Sequence, residues 1–385
     1  MKILQVIHSV DPRGGGPIEG VRQLIPALST EGIATEVLSL DAPGSPGTHA
    51  FPVPLHTIGP SHSGYGYNSR AVTWLQENHV NYSAIIVNGL WQYPGFAVRR
   101  ALRGTSTPYF VYPHGMLDPW FKRTYPLKHL KKWLYWPWGE YRVLRDAKAV
   151  LFTCEEEMLE ARKSFWLYRC LEQVTGYGIT SPPGNASEQR RLFLEKFSDL
   201  ENKQIILFLG RIHEKKGCDL LLRGWREILD RTPEPARLRL VMAGPCDHAY
   251  GTEMKALAQE LEISATLLWT GMITGDLKWG SLHAADTFIL PSHQENLGIA
   301  VVEALACHVP VLISNKINIW REIDQESAGF VENDDLAGTS RLLQRWLSLP
   351  AATKDVMRTQ ARLCFERHFD IAATAKALSR LIKTV

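Results

Sequence analysis

The chain has 385 residues, more than a single hydrophobic core serves, so two domains are expected. Hydrophobic residues make up 45% and charged residues 22%, which excludes a disordered chain. A net charge of +3, from 43 Lys and Arg against 40 Asp and Glu, is too mild for a nucleic-acid binder, so any basic chemistry must be local.

Apolar, strand-like runs alternate with helical patterns from end to end, the signature of a parallel α/β chain. In the first half the candidate strands are 2–8, 34–40, 84–87, 109–112 and 149–153, with helical patterns such as 18–29 and 96–102 between them. Asp11 and Arg13 follow the first strand too soon for a signal peptide, so a cytoplasmic location is expected. The run Thr180-Ser-Pro-Pro-Gly-Asn-Ala-Ser187 breaks both periods and suits a connection between domains. The pattern then restarts with strands at 204–209, 238–243, 266–269, 287–290 and 309–313, and the tail from 351 reads as two helices. The stretch 296–315 is the most membrane-like, but Glu303 and Pro310 make it a buried helix followed by a buried strand. Six scattered cysteines (Cys154, Cys170, Cys218, Cys246, Cys307, Cys364) form no C-x-x-C pair and read as buried thiols in a reducing compartment. These patterns predict two doubly wound domains, 1–182 and 183–368, facing a central cleft, with a last helix at 369–385 returning to the first.

In such sheets ligands sit beyond the carboxyl ends of the strands, and four motifs fall there. Gly14-Gly15-Gly16 precedes Pro17 and a helix, which lets backbone N–H groups approach a phosphate or a sugar hydroxyl; the alternative is a surface loop. His114, in Tyr112-Pro-His-Gly115, follows an apolar strand and is placed to donate to substrate or to a developing charge, or to serve a structural role. Arg211 and Lys216 share one loop after Gly210 and ahead of a helix, a suitable diphosphate clamp unless Glu214 makes the loop merely a solvated charged one. Glu295 and Glu303 stand eight positions apart in Pro291-Ser-His-Gln-Glu-Asn-Leu-Gly298, continuing into an apolar helix. An unpaired carboxylate among Ile299, Val302, Ala304 and Ala306 would cost several kcal/mol, so Glu303 needs a partner: a sugar hydroxyl, or an internal salt bridge.

The E-x7-E spacing, the Gly-Arg…Lys-Gly loop, the Pro-His-Gly turn and the N-terminal glycine loop together resemble glycosyltransferase family 4, retaining enzymes of the GT-B fold, over nearly the whole chain. The resemblance implies that Arg211 and Lys216 hold a nucleotide diphosphate, that Glu303 binds the ribose and that Glu295 binds the donor sugar. It implies that Asn296, Leu297 and Gly298 line the donor site, that His114 lies beside the donor sugar, and that Gly15 and Gly16 approach the donor phosphates or the acceptor. Thr270-Gly-Met272-Ile273 is similar to the family's base-binding loop. Two features depart from the family: Gly178-Ile-Thr180 replaces its usual Asn-Gly-Val-Asp-like turn, and residues 120–145 form an unusually aromatic insert.

No Asp-x-Asp pair is present to hold a divalent metal, so cations of the protein are expected to neutralise the diphosphate, with no cofactor. The resemblance further implies a front-face displacement in which the leaving diphosphate helps deprotonate the acceptor. The expected activity is sugar transfer from a UDP- or GDP-sugar to a glycan or lipid-linked acceptor in cell-surface polysaccharide assembly. A sugar-nucleotide isomerase or epimerase on the same scaffold, a nicotinamide oxidoreductase using Asp41, and a non-catalytic carbohydrate binder are the alternatives. Residues 120–145 hold seven Lys or Arg and eight aromatics against one acid, Glu140. That mixture suits the inner membrane surface, an aromatic glycan groove, or core packing. Pro126 and Pro137 confine any helix there to the stretch between them.

Overall fold

A computed structural model describes every residue except Gly15, Ala50, His62, Ser63, Phe121, Arg123, Thr124, Tyr125 and Val385. The chain forms two compact units, Met1–Thr180 with Phe369–Val385, and Ser181–His368.

The first unit is built on strands β1 (Lys2–Ile7), β2 (Ala34–Ser39), β3 (Leu55–Thr57), β4 (Ala84–Asn88), β5 (Tyr109–Tyr112), β6 (Ala149–Phe152) and β7 (Glu172–Val174). They pair in parallel in the order β3-β2-β1-β4-β5-β6-β7. Every residue of β4 and β5 is buried, as continuous apolar runs in a doubly wound sheet require. The winding reverses between β1 and β4, so the loops after these two strands frame a topological switch point. The core gathers Leu4, Ile85, Val111 and Val150 from the sheet with the fully buried Trp136. Helix Ile371–Lys383 belongs to this unit and packs on helix Gly16–Thr30. Its lead-in is held where the Ile179 N–H donates to the Phe369 carbonyl at 2.9 Å and the Ile371 N–H to the Ile179 carbonyl at 3.1 Å.

The second unit carries β8 (Gln204–Leu209), β9 (Leu238–Ala243), β10 (Leu267–Gly271), β11 (Thr287–Leu290), β12 (Val311–Ser314) and β13 (Gly329–Glu332), in the order β10-β9-β8-β11-β12-β13. Here the reversal falls between β8 and β11, and the loops that follow them are those of Arg211–Lys216 and of Glu295.

The buried central strands lie where the apolar runs predict them. Three strands were not predicted: β3, β7 and β13. Each closes an edge of its sheet and is short and largely half-exposed, so it has neither an apolar run nor a clean alternation. The strand expected at 309–313 begins at Val311, because Pro310 has no N–H for the ladder and offers only its carbonyl, to the Phe288 N–H at 2.9 Å. No helix among the described residues is long and apolar enough to cross a membrane.

Candidate active site

In the second unit the predicted residues converge because two strand-end loops are locked together. The loop after β8 ends in a turn at Glu214–Lys216 and then Gly217, whose φ is 65°. A Cβ at Gly217 would come within 2.2 Å of the Pro291 carbonyl oxygen, so only glycine permits this approach. The Lys215 carbonyl accepts from the His293 N–H and from the Ser292 hydroxyl, each at 2.8 Å. This register brings Lys216 Nζ to 2.6 Å from Glu295 Oε1, with Lys215 Nζ 3.9 Å from the same oxygen. The Glu295 backbone is fixed on its other side, where its N–H donates to the Lys316 carbonyl at 2.9 Å and its carbonyl accepts from the Asn318 N–H at 3.1 Å. Arg211, in the same β8 loop, is exposed and makes no ion pair among the described residues.

Beyond Glu295, the Asn296 side-chain oxygen accepts from Asn318 Nδ2 at 3.2 Å, and Leu297 is buried. Gly298, at φ 65°, turns the chain into helix Ile299–Ala306. Glu303 on that helix is 8% exposed, and its partner is Lys278 of helix Gly275–Ala284, with Nζ 2.5 Å from Oε1. The internal salt bridge, one of the partners expected for this carboxylate, is formed. Met272 and Ile273 follow β10, the first exposed and the second buried. The Gly210 N–H donates to the Ala243 carbonyl at 2.9 Å and the Gly244 N–H to the Gly271 carbonyl at 3.0 Å, knitting together the ends of β8, β9 and β10.

The first unit has its own cluster at its switch point. Asn88 ends β4; its Nδ2 donates to Gln5 Oε1 at 2.7 Å, and its Oδ1 lies 3.1 Å from His114 Nε2. His114 keeps part of its surface open, yet the protein packed around it pushes its pKa down to about 4, so the ring is neutral at pH 7. With Asn88 oriented by Gln5, Nε2 is the protonated nitrogen and Nδ1 is left as an acceptor. The ring lies 5.4 Å from that of Tyr112 and 5.3 Å from that of Tyr177, and its own φ is 50°. Glu157 holds the turn: one carboxylate oxygen accepts from the Gly115 N–H at 2.5 Å, and the other from the Thr153 N–H at 2.8 Å and hydroxyl at 2.6 Å. Gly16 is the first residue of helix Gly16–Thr30; Gly15 lies outside the described residues.

Three supporting residues were not singled out from the sequence. Asn88 carried a usable signal, a polar residue closing an apolar strand ahead of Gly89. Glu157 was hidden in the run Glu155-Glu156-Glu157, which reads as a solvated helix start. Lys278 meets Glu303 from 25 residues away and has no local signature.

Comparison with known proteins fits this architecture. The sucrose-phosphate synthase of Thermosynechococcus elongatus superimposes with a TM-score of 0.75 at 20% identity, over 100% of this chain and 99% of its own. The Anabaena protein HepE in complex with UDP gives 0.77 at 16% identity, over 100% of both chains. The fold is thus GT-B, with two Rossmann-like α/β units. Residues 190–363 match the family of glycosyl transferases group 1, and residues 15–167 match the glycosyl transferase 4-like domain. The chain belongs to glycosyltransferase family 4. The D-inositol 3-phosphate glycosyltransferase of Corynebacterium jeikeium is 27% identical over 198 residues, 50% of this chain and 47% of its own length. The mannosylfructose-phosphate synthase of Agrobacterium fabrum is 26% identical over 282 residues, 66% of this chain and 58% of its own. The chain spans about half the length of these relatives.

Proposed function

We propose that this protein is a retaining glycosyltransferase that moves a sugar from a UDP- or GDP-sugar to a glycan or lipid-linked acceptor on the cytoplasmic side of the membrane, in cell-surface polysaccharide assembly. The observation that carries the reading is the Lys216–Glu295 pair at the switch point of the second sheet, 2.6 Å apart, with the exposed Arg211 in the same β8 loop. A diphosphate arriving there draws Lys216 and Arg211 onto its oxygens, and Glu295, released from Lys216, accepts from hydroxyls of the donor sugar. Glu303 takes the ribose hydroxyls while Lys278 keeps its carboxylate charged. Backbone groups at Met272 and Ile273 meet the base, and Asn296 to Gly298 line the same pocket. In the reaction the anomeric carbon–phosphate oxygen bond breaks and the acceptor oxygen bonds to the same face of that carbon. The acceptor proton passes to the departing diphosphate, whose charge is neutralised by Arg211 and Lys216 without a divalent metal. Neutral His114 offers Nδ1 as an acceptor to substrate bound at the switch point of the first sheet. That HepE was solved with UDP-glucose supports a uridine donor.

The test is a donor panel assayed for released nucleoside diphosphate in the presence of chelator, together with thermal shifts in UDP, GDP and ADP. A ligand at about 100 times its dissociation constant stabilises the folded state by about 2.7 kcal/mol, which such shifts resolve. Transfer releases the diphosphate; conversion of the donor without release would assign the chain to isomerisation instead.

A further inference from the structure

The helix Pro126–Tyr135 runs between Pro126 and Pro137, and none of its residues is buried. Its inner side is polar or aromatic. Lys132 Nζ lies 4.5 Å from the Trp91 ring centre, the Tyr135 hydroxyl is 2.6 Å from that of Tyr65, and His129 stacks on Phe165 at 4.9 Å. Its leucines face the other way: Leu127 is 79%, Leu134 61% and Leu130 54% exposed. Their spacing of i, i+3 and i+7 makes one stripe along the helix. A helix on the surface of a soluble domain turns such a stripe inward, so this one is inverted.

The stripe continues sideways into a second segment. Trp133 lies 6.0 Å, ring to ring, from Trp166, and both are exposed, as is the neighbouring Leu167. Between the two segments opens a cavity of about 670 Å³ lined by Leu130, Trp133, Phe165 and Trp166 together with Lys122 and Lys163. Lys128 and Lys131 are exposed beside the leucines, and the sequence has no acid from Pro119 to Gly139. The next acid, Glu140, is buried, and burial pushes its pKa up to about 8, so it adds no negative charge at pH 7.

We propose that this face docks on an anionic lipid bilayer. The helix lies flat, with its leucine stripe, Trp133 and Trp166 at the boundary of headgroups and acyl chains and with Lys128 and Lys131 against lipid phosphates. At ten residues the helix is too short to span. Leucine and tryptophan flanked by Lys128 and Lys131, with the nearby Glu160 carboxylate held by Lys163 at 2.5 Å, complement an apolar layer under an anionic surface. A second copy of the same face would instead set lysine against lysine across a two-fold axis. The docking stands apart from the proposed activity, since partition onto a membrane requires no turnover.

The test is flotation of the full chain with vesicles of phosphatidylglycerol and phosphatidylcholine in equal parts. The protein floats at low salt, floats far less with phosphatidylcholine alone, and is partly released at about 1 M salt, where the Debye length is about 3 Å. Each lysine near the surface is worth about fivefold in partition, so Lys128→Glu with Lys131→Glu weakens binding by on the order of thirtyfold or more. Leu130→Glu with Leu134→Glu abolishes it while the melting temperature holds. Leu127→Ser with Leu134→Ser, a milder pair, weakens it should the first variant misfold. Failure of the wild type to float at low salt, or leucine variants that float like it, would overturn the proposal. So would a solution dimer that the leucine substitutions dissociate without any vesicle binding, which would make the face a protein interface.

Discussion

Lys278 Nζ lies 2.5 Å from Glu303 Oε1, so the one carboxylate on the apolar helix Ile299–Ala306 is already neutralised by a lysine from another helix. The pair lets a carboxylate stay charged at low exposure, and a charged carboxylate is what the proposed donor site uses.

A double-mutant cycle separates these roles. Glu303→Gln lowers turnover by about a hundredfold or more, the loss of one charge-assisted contact of about 2–4 kcal/mol in a site closed to water. Lys278→Met leaves Glu303 without its cation and costs about 1–3 kcal/mol of stability in urea melts. The double variant recovers stability but not turnover, with a coupling between the sites of about 0.5–3 kcal/mol. Additive melts would mean that the two side chains do not form this pair.

Lys216 and Glu295 differ in what their removal does to a bare nucleoside diphosphate. Lys216→Ala weakens diphosphate binding and lowers turnover by about a hundredfold or more. Glu295→Gln releases Lys216 from its internal partner, so calorimetry with UDP shows affinity kept or raised while sugar transfer falls. If Glu295→Gln weakens UDP as much as Lys216→Ala does, the carboxylate belongs to the nucleotide rather than the sugar.

His114→Ala lowers turnover more than it weakens diphosphate binding. The folded state holds the His114 pKa down to about 4, against an ordinary value of 6.5. Between those values the unfolded chain binds more protons, so stability rises with pH there and is lost as pH falls from about 6.5 toward 4. Nuclear magnetic resonance of the imidazole should find the ring neutral at pH 6, with its proton on Nε2. An imidazolium at that pH would contradict the Asn88–His114 geometry.

How much of this was legible in the sequence depended on whether the cause was local. Central strands such as 109–112 and 204–209 announced themselves because both faces are buried. Edge strand β7 did not, because Glu172, Gln173 and Val174 are held by pairing with β6 rather than by an apolar face. Lys216 and Glu295 could be singled out because each sits in a loop at a strand end, but their contact depends on Gly217 passing the Pro291 carbonyl. The segment 120–145 was readable as basic and aromatic and as bounded by prolines. Which lysines face outward was not: Lys132 covers Trp91, whereas Lys128 and Lys131 are exposed.

Glu140 opens helix Glu140–Asp146 from a fully buried position. Its Oε1 accepts from the Trp91 N–H at 2.8 Å, and its Oε2 has no hydrogen-bond partner among the described residues. Trp91 needs that bond. Its φ is 67°, a conformation that disfavours a bulky side chain, while its indole N–H donates to the Met116 carbonyl at 3.1 Å and its ring packs on Phe165 at 5.2 Å. Burial raises the Glu140 pKa from an ordinary 4.5 to about 8, against the opposing pull of the Trp91 N–H and of Lys132. Between these values the folded chain holds a proton that the unfolded chain has released, so stability falls as pH rises from about 4.5 through 8. This is the opposite sense to His114. Glutamine keeps the acceptor for Trp91 and cannot ionise. Glu140→Gln should therefore match the wild type near pH 5 and exceed it at pH 9 by about 1–3 kcal/mol, the range for burying an uncompensated polar group. Urea unfolding at the two pH values measures the difference. Parallel pH profiles for the two proteins would mean that Glu140 is ionised in the fold and that a cation, not a proton, neutralises it.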